Sequence, residues 1–168
     1  MYVPNMDKNT SDTSELYSYT GYWLNRFHGN VRIPFERRMH AHGVTVSQWM
    51  LLMTLFHGKA DTVRNIAQVL RLDGGAVTRL ADRLEGNSLV RRLPDPEDRR
   101  SVRLELTPEG RDLVPILAVT ADAIDEEFIG VLSDDEVAQF KGLLCKMLRS
   151  ANDPPDESWI DAPLKRDT

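Results

Sequence analysis

The chain has 168 residues, 41% hydrophobic and 28% charged, enough for one domain with a sizeable core or a compact domain plus helices committed to a partner. No apolar run approaches the ~18 residues needed to cross a membrane, and the polar N-terminus (MYVPNMDKNTSDTSE) has no basic region followed by an apolar block, so a cytoplasmic location is expected. A net charge of −5 argues against a nucleic-acid partner until its distribution is read: residues 62–105 hold nine arginines against seven acids, and the remainder holds 12 basic and 19 acidic residues. A basic face within an acidic body still binds phosphates.

Residues 1–12, with Pro4 and scattered Asn, Asp, Ser and Thr, read as a flexible arm. From Ser14 the pattern turns helical, with Leu24, Phe27, Val31, Phe35 and Met39 at spacings of three and four. Pro34 removes a backbone donor, so a break or kink is expected near Ile33, followed by a second short segment over 35–42 that ends near Gly43. His40 and His42 have no carboxylate or cysteine at ligand spacing, so no metal is expected there.

Thr45 and Gln48 have capping-box spacing and open a helix carrying Trp49, Leu51, Leu52, Leu55 and Phe56, apolar on most sides and expected to be buried. After a turn at 58–61, Thr62 begins another helix with Val63, Ile66, Ala67 and Leu70 facing inward. A third helix, capped by Asp73, places Val77, Leu80, Ala81 and Leu84 on one stripe and Gly75, Arg79, Asp82 and Gly86 on the opposite edge, with Thr78 at the side. This inward pattern of helix, short turn and helix suggests a helix-turn-helix. In that motif the second helix enters the major groove, which makes Gly74, Gly75, Thr78 and Arg79 the groove-facing residues, with Arg79 suited to a guanine edge or a phosphate. Arg83, beside Asp82 and Glu85, reads as a structural ion-pair partner.

Residues 89–93 and 101–107 read as two strands of a hairpin, and the charged turn between them (PDPEDRR) puts Arg99 and Arg100 at its tip and Arg103 nearby, all three candidates for DNA contact with Arg100 foremost. Arg91 or Arg92 is placed to pair with Glu105 across the hairpin. Thr107, Pro108 and Glu109 start a helix whose stripe runs Leu113, Leu117, Thr120, Ile124, Phe128 and Val131. Ser133 and Glu136 form a second capping box before a stripe of Val137, Phe140, Leu144, Met147 and Leu148. Cys145, the single cysteine, reads as a small apolar core residue; a redox-sensing role is the competing reading, supported by Lys141 and Lys146 beside it. The proline-rich segment from residue 152 has no period and reads as mostly irregular, with Trp159 and Ile160 available to dock it.

The hairpin sequence DPEDRRSVRLELTPEG, with Asp98 and Arg100 in the wing and then Leu104, Leu106, Thr107 and Gly110, resembles the MarR family of winged helix-turn-helix regulators, and TRLADRLEGNSLVRR over 78–92 is a second match. The resemblance covers residue 14 to about 150. One departure stands at Arg71, where many members place glycine in the turn between the two helices; an arginine there adopts the turn with some strain or a different turn, and is placed to reach a phosphate. The resemblance implies a mainly α fold with a small β-hairpin wing: N-terminal dimerisation helices over 13–44, a winged helix-turn-helix over 45–107, C-terminal dimerisation helices over 108–150 and a tail over 151–168. It also implies a homodimer on a pseudo-palindromic double-stranded DNA operator, in which Asp98 holds Arg100 for entry into the minor groove. A repressor released by a small aromatic or phenolic effector is expected, bound in a cleft for which Trp23, Arg26, His28, Trp49 and His57 are candidates. Catalysis and cofactors are not expected, because no phosphate loop, nucleophile elbow or paired metal-ligand cluster is present. A winged-helix interaction module without DNA binding is the remaining alternative, and the segregated arginines argue against it.

Overall fold

Side-chain caps written into the sequence start five of the six α-helices of the described residues. In the computed structural model, which describes residues 16–96, 98 and 101–155, a 3-10 turn (Leu16–Ser18) leads into α1 (Thr20–Ala41), α2 (Val46–Phe56), α3 (Val63–Leu70) and α4 (Gly74–Gly86). The strands β1 (Val90–Pro94) and β2 (Val102–Leu106) follow, then α5 (Pro108–Ile129) and α6 (Asp134–Ser150). Thr62, Asp73 and Thr107 each accept from the backbone N–H three residues on, and Thr45 with Gln48 and Ser133 with Glu136 complete reciprocal capping boxes. The expected arm over 1–12 and the docking residues Trp159 and Ile160 lie outside the described residues.

Hydrogen bonds from the Ser133 backbone N–H, and then its hydroxyl, hold the Glu136 carboxyl below the usual carboxylate range. A depressed native pKa means that the contribution is complete above the usual glutamate range and is lost as pH falls through the lowered value. Glu136→Gln keeps the cap without the titration. The stability difference between wild type and this variant should therefore shrink as pH falls from neutral through and below the usual glutamate range, read by chemical unfolding at each pH.

Helix α1 runs unbroken through Pro34, against the expected break near Ile33 and separate segment over 35–42. Ending it would have required new partners for the end groups of two helices, and Val31, Arg32 and Ile33 are poor caps. The half after Pro34 is anchored as well: Phe35 meets Trp49 edge-on at 5.0 Å, Met39 is fully buried, Arg38 pairs with Glu127, and His42 Nε2 lies 3.0 Å from Thr120 Oγ1. The start expected at Ser14 falls outside the described residues, and the helix proper begins at Thr20 after the 3-10 turn.

The core sits where α2, α3, α4, the hairpin and the first half of α5 meet: Leu51, Leu52, Ile66, Val77, Ala81, Leu84, Val90, Leu104, Leu106, Val114 and Leu117 are all buried. Helix α2 is only partly enclosed, with Leu51 and Leu52 buried but Phe56 exposed. Val131 lies past the end of α5 and is 83% exposed, so the stripe expected to include it stops at the helix end.

The hairpin pairs Val90 with Leu106 through Pro94 with Val102. Beside the two-stranded hairpin, Thr62, the cap of α3, makes an isolated bridge to Arg103, and the Leu104 N–H donates to the Asp61 carbonyl at 2.7 Å.

Candidate nucleic-acid interface

Helices α3 and α4 are joined by residues 71–73, and the turn closes on a left-handed residue, Arg71, at φ 54° and ψ 42°. The Arg71 N–H reaches the Gln68 carbonyl and the Leu72 N–H the Ala67 carbonyl, the paired bonds of a Schellman stop. Glycine ordinarily occupies this conformation, and arginine holds it at a cost of about 1 kcal/mol.

With Val77, Ala81 and Leu84 turned into the core, Gly74, Gly75, Thr78, Arg79, Asp82 and Gly86 form an exposed edge of α4. A methyl placed on Gly75 would lie 3.0 Å from Asp73 Oδ1 and 3.3 Å from Arg79 Nη1, so the glycine leaves room for the cap and for the arginine folded back beside it. The Thr78 hydroxyl donates to the Gly74 carbonyl at 2.8 Å. In front lies an open trough of about 880 Å³ bounded by α3, the start of α4 and the wing, with Arg64, Gln68, Arg71, Thr78, Asp98, Ser101 and Val102 among its lining. Arg64 and Gln68, on the outward side of α3, were not singled out from the sequence, where they register only as polar positions of an amphipathic helix.

Four of the seven described arginines of the basic segment are already engaged. Arg91 reaches Glu105 at 2.6 Å, so of the two cross-hairpin partners left open by the sequence the register selects Arg91. Arg92 turns instead to the recognition helix, donating to Asp82 and Glu85. The Asp82 hydrogen bond leads the causes that raise Arg92 above its already high pKa, while partial burial opposes the rise. This corrects the assignment of Arg83 as their ion-pair partner: Arg92, on β1, reaches both acids, and Arg83 forms no ion pair among the described residues. Arg103 lies 3.3 Å from Asp61 and 3.1 Å from the buried Asp95, so it ties the root of the wing. Arg64 and Arg79 also have no ion pair among the described residues. Asp98 is exposed and its carbonyl accepts from the Ser101 N–H at 2.8 Å, whereas Arg99 and Arg100 lie outside the described residues.

Arg92→Met should cost about 1 kcal/mol of stability at low salt, because its two ion pairs are partly solvated. The deficit should shrink as salt screens the wild-type pairs, a trend that calorimetry at several ionic strengths would resolve from a salt-independent packing loss.

The five candidate effector residues are not brought together within one chain. Trp49 alone lines a cleft of about 940 Å³ between α2, the end of α3 and α6, with Met53, Leu70, Arg71, Lys141, Leu144 and the buried Cys145 among its neighbours. The Trp49 indole N–H is buried without a hydrogen-bond partner among the described residues. Trp23 and Arg26 belong to a separate cluster: Trp23 packs on Tyr17 and Tyr22, and Arg26 lies 6.0 Å from its ring centre. His28 is exposed on α1, and His57 stacks edge-on with Phe56 at the far end of α2. Trp23, Arg26 and His28 lie on α1 before Phe35, where α1 meets Trp49 of α2.

Two helices around a tight turn, an open outward edge on the second and an antiparallel hairpin beside them define a winged helix-turn-helix DNA-binding protein. The family model described as MarR family matches residues 44–102. The chain is 31% identical over 113 residues to the transcriptional repressor MdtR of Bacillus subtilis, a match that covers 67% of this chain and 73% of the relative. It is structurally similar to a mutant of Escherichia coli MarR in complex with operator DNA, at 26% identity and TM-score 0.72 over 81% of this chain and 99% of that one. It is likewise similar to Bordetella bronchiseptica BpsR, whose DNA binding is regulated by 6-hydroxynicotinic acid, at 26% identity and TM-score 0.74 over 81% and 97%. The chain belongs to the MarR family of transcriptional regulators, and its relatives are regulators rather than enzymes.

Proposed function

We propose that the protein is a homodimeric repressor that binds a pseudo-palindromic operator and is released by a small aromatic or phenolic acid. The observation that carries the DNA side is the outward edge of α4, exposed from Gly74 to Gly86, with Arg79 unpaired by any described acid. Gly74, Gly75, Thr78 and Arg79 enter the major groove, while Asp98, Arg99 and Arg100 serve the minor groove at the wing tip. Arg103 contributes by fixing the wing root through Asp61 and Asp95.

Dimerisation is supported by apolar side chains that one chain leaves uncovered on its outer helices, among them Ile33 at 63%, Val119 at 68% and Leu143 at 53% exposure. Two recognition helices then select half-sites about 34 Å apart. The effector side is supported by the apolar cleft around Trp49, with Arg71 and Lys141 as cations, and by the regulation of BpsR by a hydroxylated aromatic acid. No helix of the described residues is long and apolar enough to cross a membrane, and the proposed site of action is the cytoplasm.

The test is sedimentation of the protein alone, then a gel shift on the intergenic DNA beside its own gene, repeated with a panel of aromatic acids. A dimer that retards this DNA and releases it with one acid is expected. A monomer, or acids that bind without changing operator affinity, would refute the corresponding part of the reading.

A further inference from the structure

Arg71 stands where two surfaces meet. It lines both the trough in front of the recognition helix and the cleft between α2, the end of α3 and α6. Its left-handed backbone places the side chain on a turn rather than on a helix face. Here the guanidinium is on the cleft side, with Nη2 at 2.7 Å from Asp153 Oδ1 and 3.5 Å from the Pro154 carbonyl. The acid is set there by a second built turn: Asn152, at φ 58°, ends α6, and the Asp153 N–H closes back on the Leu148 carbonyl at 3.0 Å.

We propose that Arg71 is a phosphate-binding position of the DNA interface and that Asp153 competes with the DNA phosphate for it. The same planar fork of donors serves a carboxylate or a phosphodiester. The competing partners are close in strength, because the Arg71 and Asp153 side chains are 59% and 47% exposed and their pair is solvated. On the trough side, Arg64 already offers a cation unpaired by any described acid, so a strand lying along α3 and the α4 N-terminus meets two arginines in place of one. Glycine at position 71 would take the turn without strain but would bring no cation. The end of α6 thereby acts as a brake on operator binding, joined directly to the helix-turn-helix.

This inference rests on the DNA-binding reading of the trough, and the experiment separates the two. The probe is a duplex selected by the wild-type protein from a random pool, titrated by fluorescence anisotropy across a range of salt concentrations. Asp153→Ala should tighten binding roughly three- to tenfold and steepen the dependence of log K on log salt by about one per subunit. Arg71→Ala should bind no better than wild type, and adding Asp153→Ala to it should change nothing further. If Asp153→Ala leaves affinity and salt slope unchanged, or weakens binding, the brake is refuted. If no duplex is selected, or Arg79→Ala binds the selected duplex as wild type does, the DNA reading of the recognition face falls first and the inference with it. Arg71 is exposed and Asp153 half-buried with a solvated side chain, and unchanged thermal unfolding confirms that the comparison is between folded proteins.

Discussion

Gly110→Ala is expected to destabilise the protein by about 2–3 kcal/mol, although alanine is the better helix former. A methyl at this position would sit 2.1 Å from the Leu89 carbonyl oxygen, 3.0 Å from its carbon and 3.3 Å from Leu106 Cδ2. Neither backbone can easily retreat. The Leu89 carbonyl accepts from the Thr107 N–H at 3.1 Å, the Thr107 hydroxyl donates to the Ser88 carbonyl at 2.6 Å, and the same hydroxyl caps the Gly110 N–H at 3.0 Å. The first turn of α5 is thus pressed onto the turn that leaves the recognition helix, and glycine is what allows the approach. Gly86→Ala, in the last turn of α4, meets nothing within 4 Å and should stabilise by about 0.5–1 kcal/mol. Chemical unfolding of both variants tests the sign: a Gly110→Ala protein as stable as wild type would mean that this packing is not close.

Arg79→Ala should lower operator affinity roughly tenfold or more, since one good arginine contact to a base contributes about 1–3 kcal/mol and the proposed dimer would present two. Its own folding stability should move by no more than about 0.5 kcal/mol, because the side chain is exposed and has no ion pair among the described residues. The pattern of the loss identifies the contact. A base contact relaxes discrimination at one operator position, whereas a phosphate contact weakens all sequences alike and makes the salt dependence shallower. Competition binding with single-base operator variants at two salt concentrations reads both. Unchanged affinity would remove Arg79 from the interface and leave the exposed edge of α4 without its main cation.

These two residues differ in how they could be found. Arg79 follows from period alone: once Val77, Ala81 and Leu84 are assigned inward, a 100° step per residue puts it outward. Gly110 was visible only as a member of a motif. That its missing side chain faces the Leu89 carbonyl depends on two segments some twenty residues apart meeting in space.

Local chemistry written in consecutive residues determined the helix starts at Thr45, Thr62, Asp73, Thr107 and Ser133, the inward stripe of α4, the two strands of the hairpin, and the family itself; that Arg91 and not Arg92 faces Glu105 came from the structure. A cap needs only its own first turn, and a stripe only its own period, so both are legible without the fold. Tertiary structure decided the partners of the charges and the course of α1. Arg92 rather than Arg83 holds Asp82 and Glu85, Arg103 is drawn to Asp61 and Asp95, and Arg71 finds Asp153 from the far end of the chain. Ion pairing depends on distance in space, which sequence spacing does not encode beyond one turn of helix or one step across a hairpin. Pro34 obeys the same logic: its local effect is to weaken a helix, but Phe35, Met39 and His42 pack the following half onto α2 and α5, and that packing keeps α1 whole.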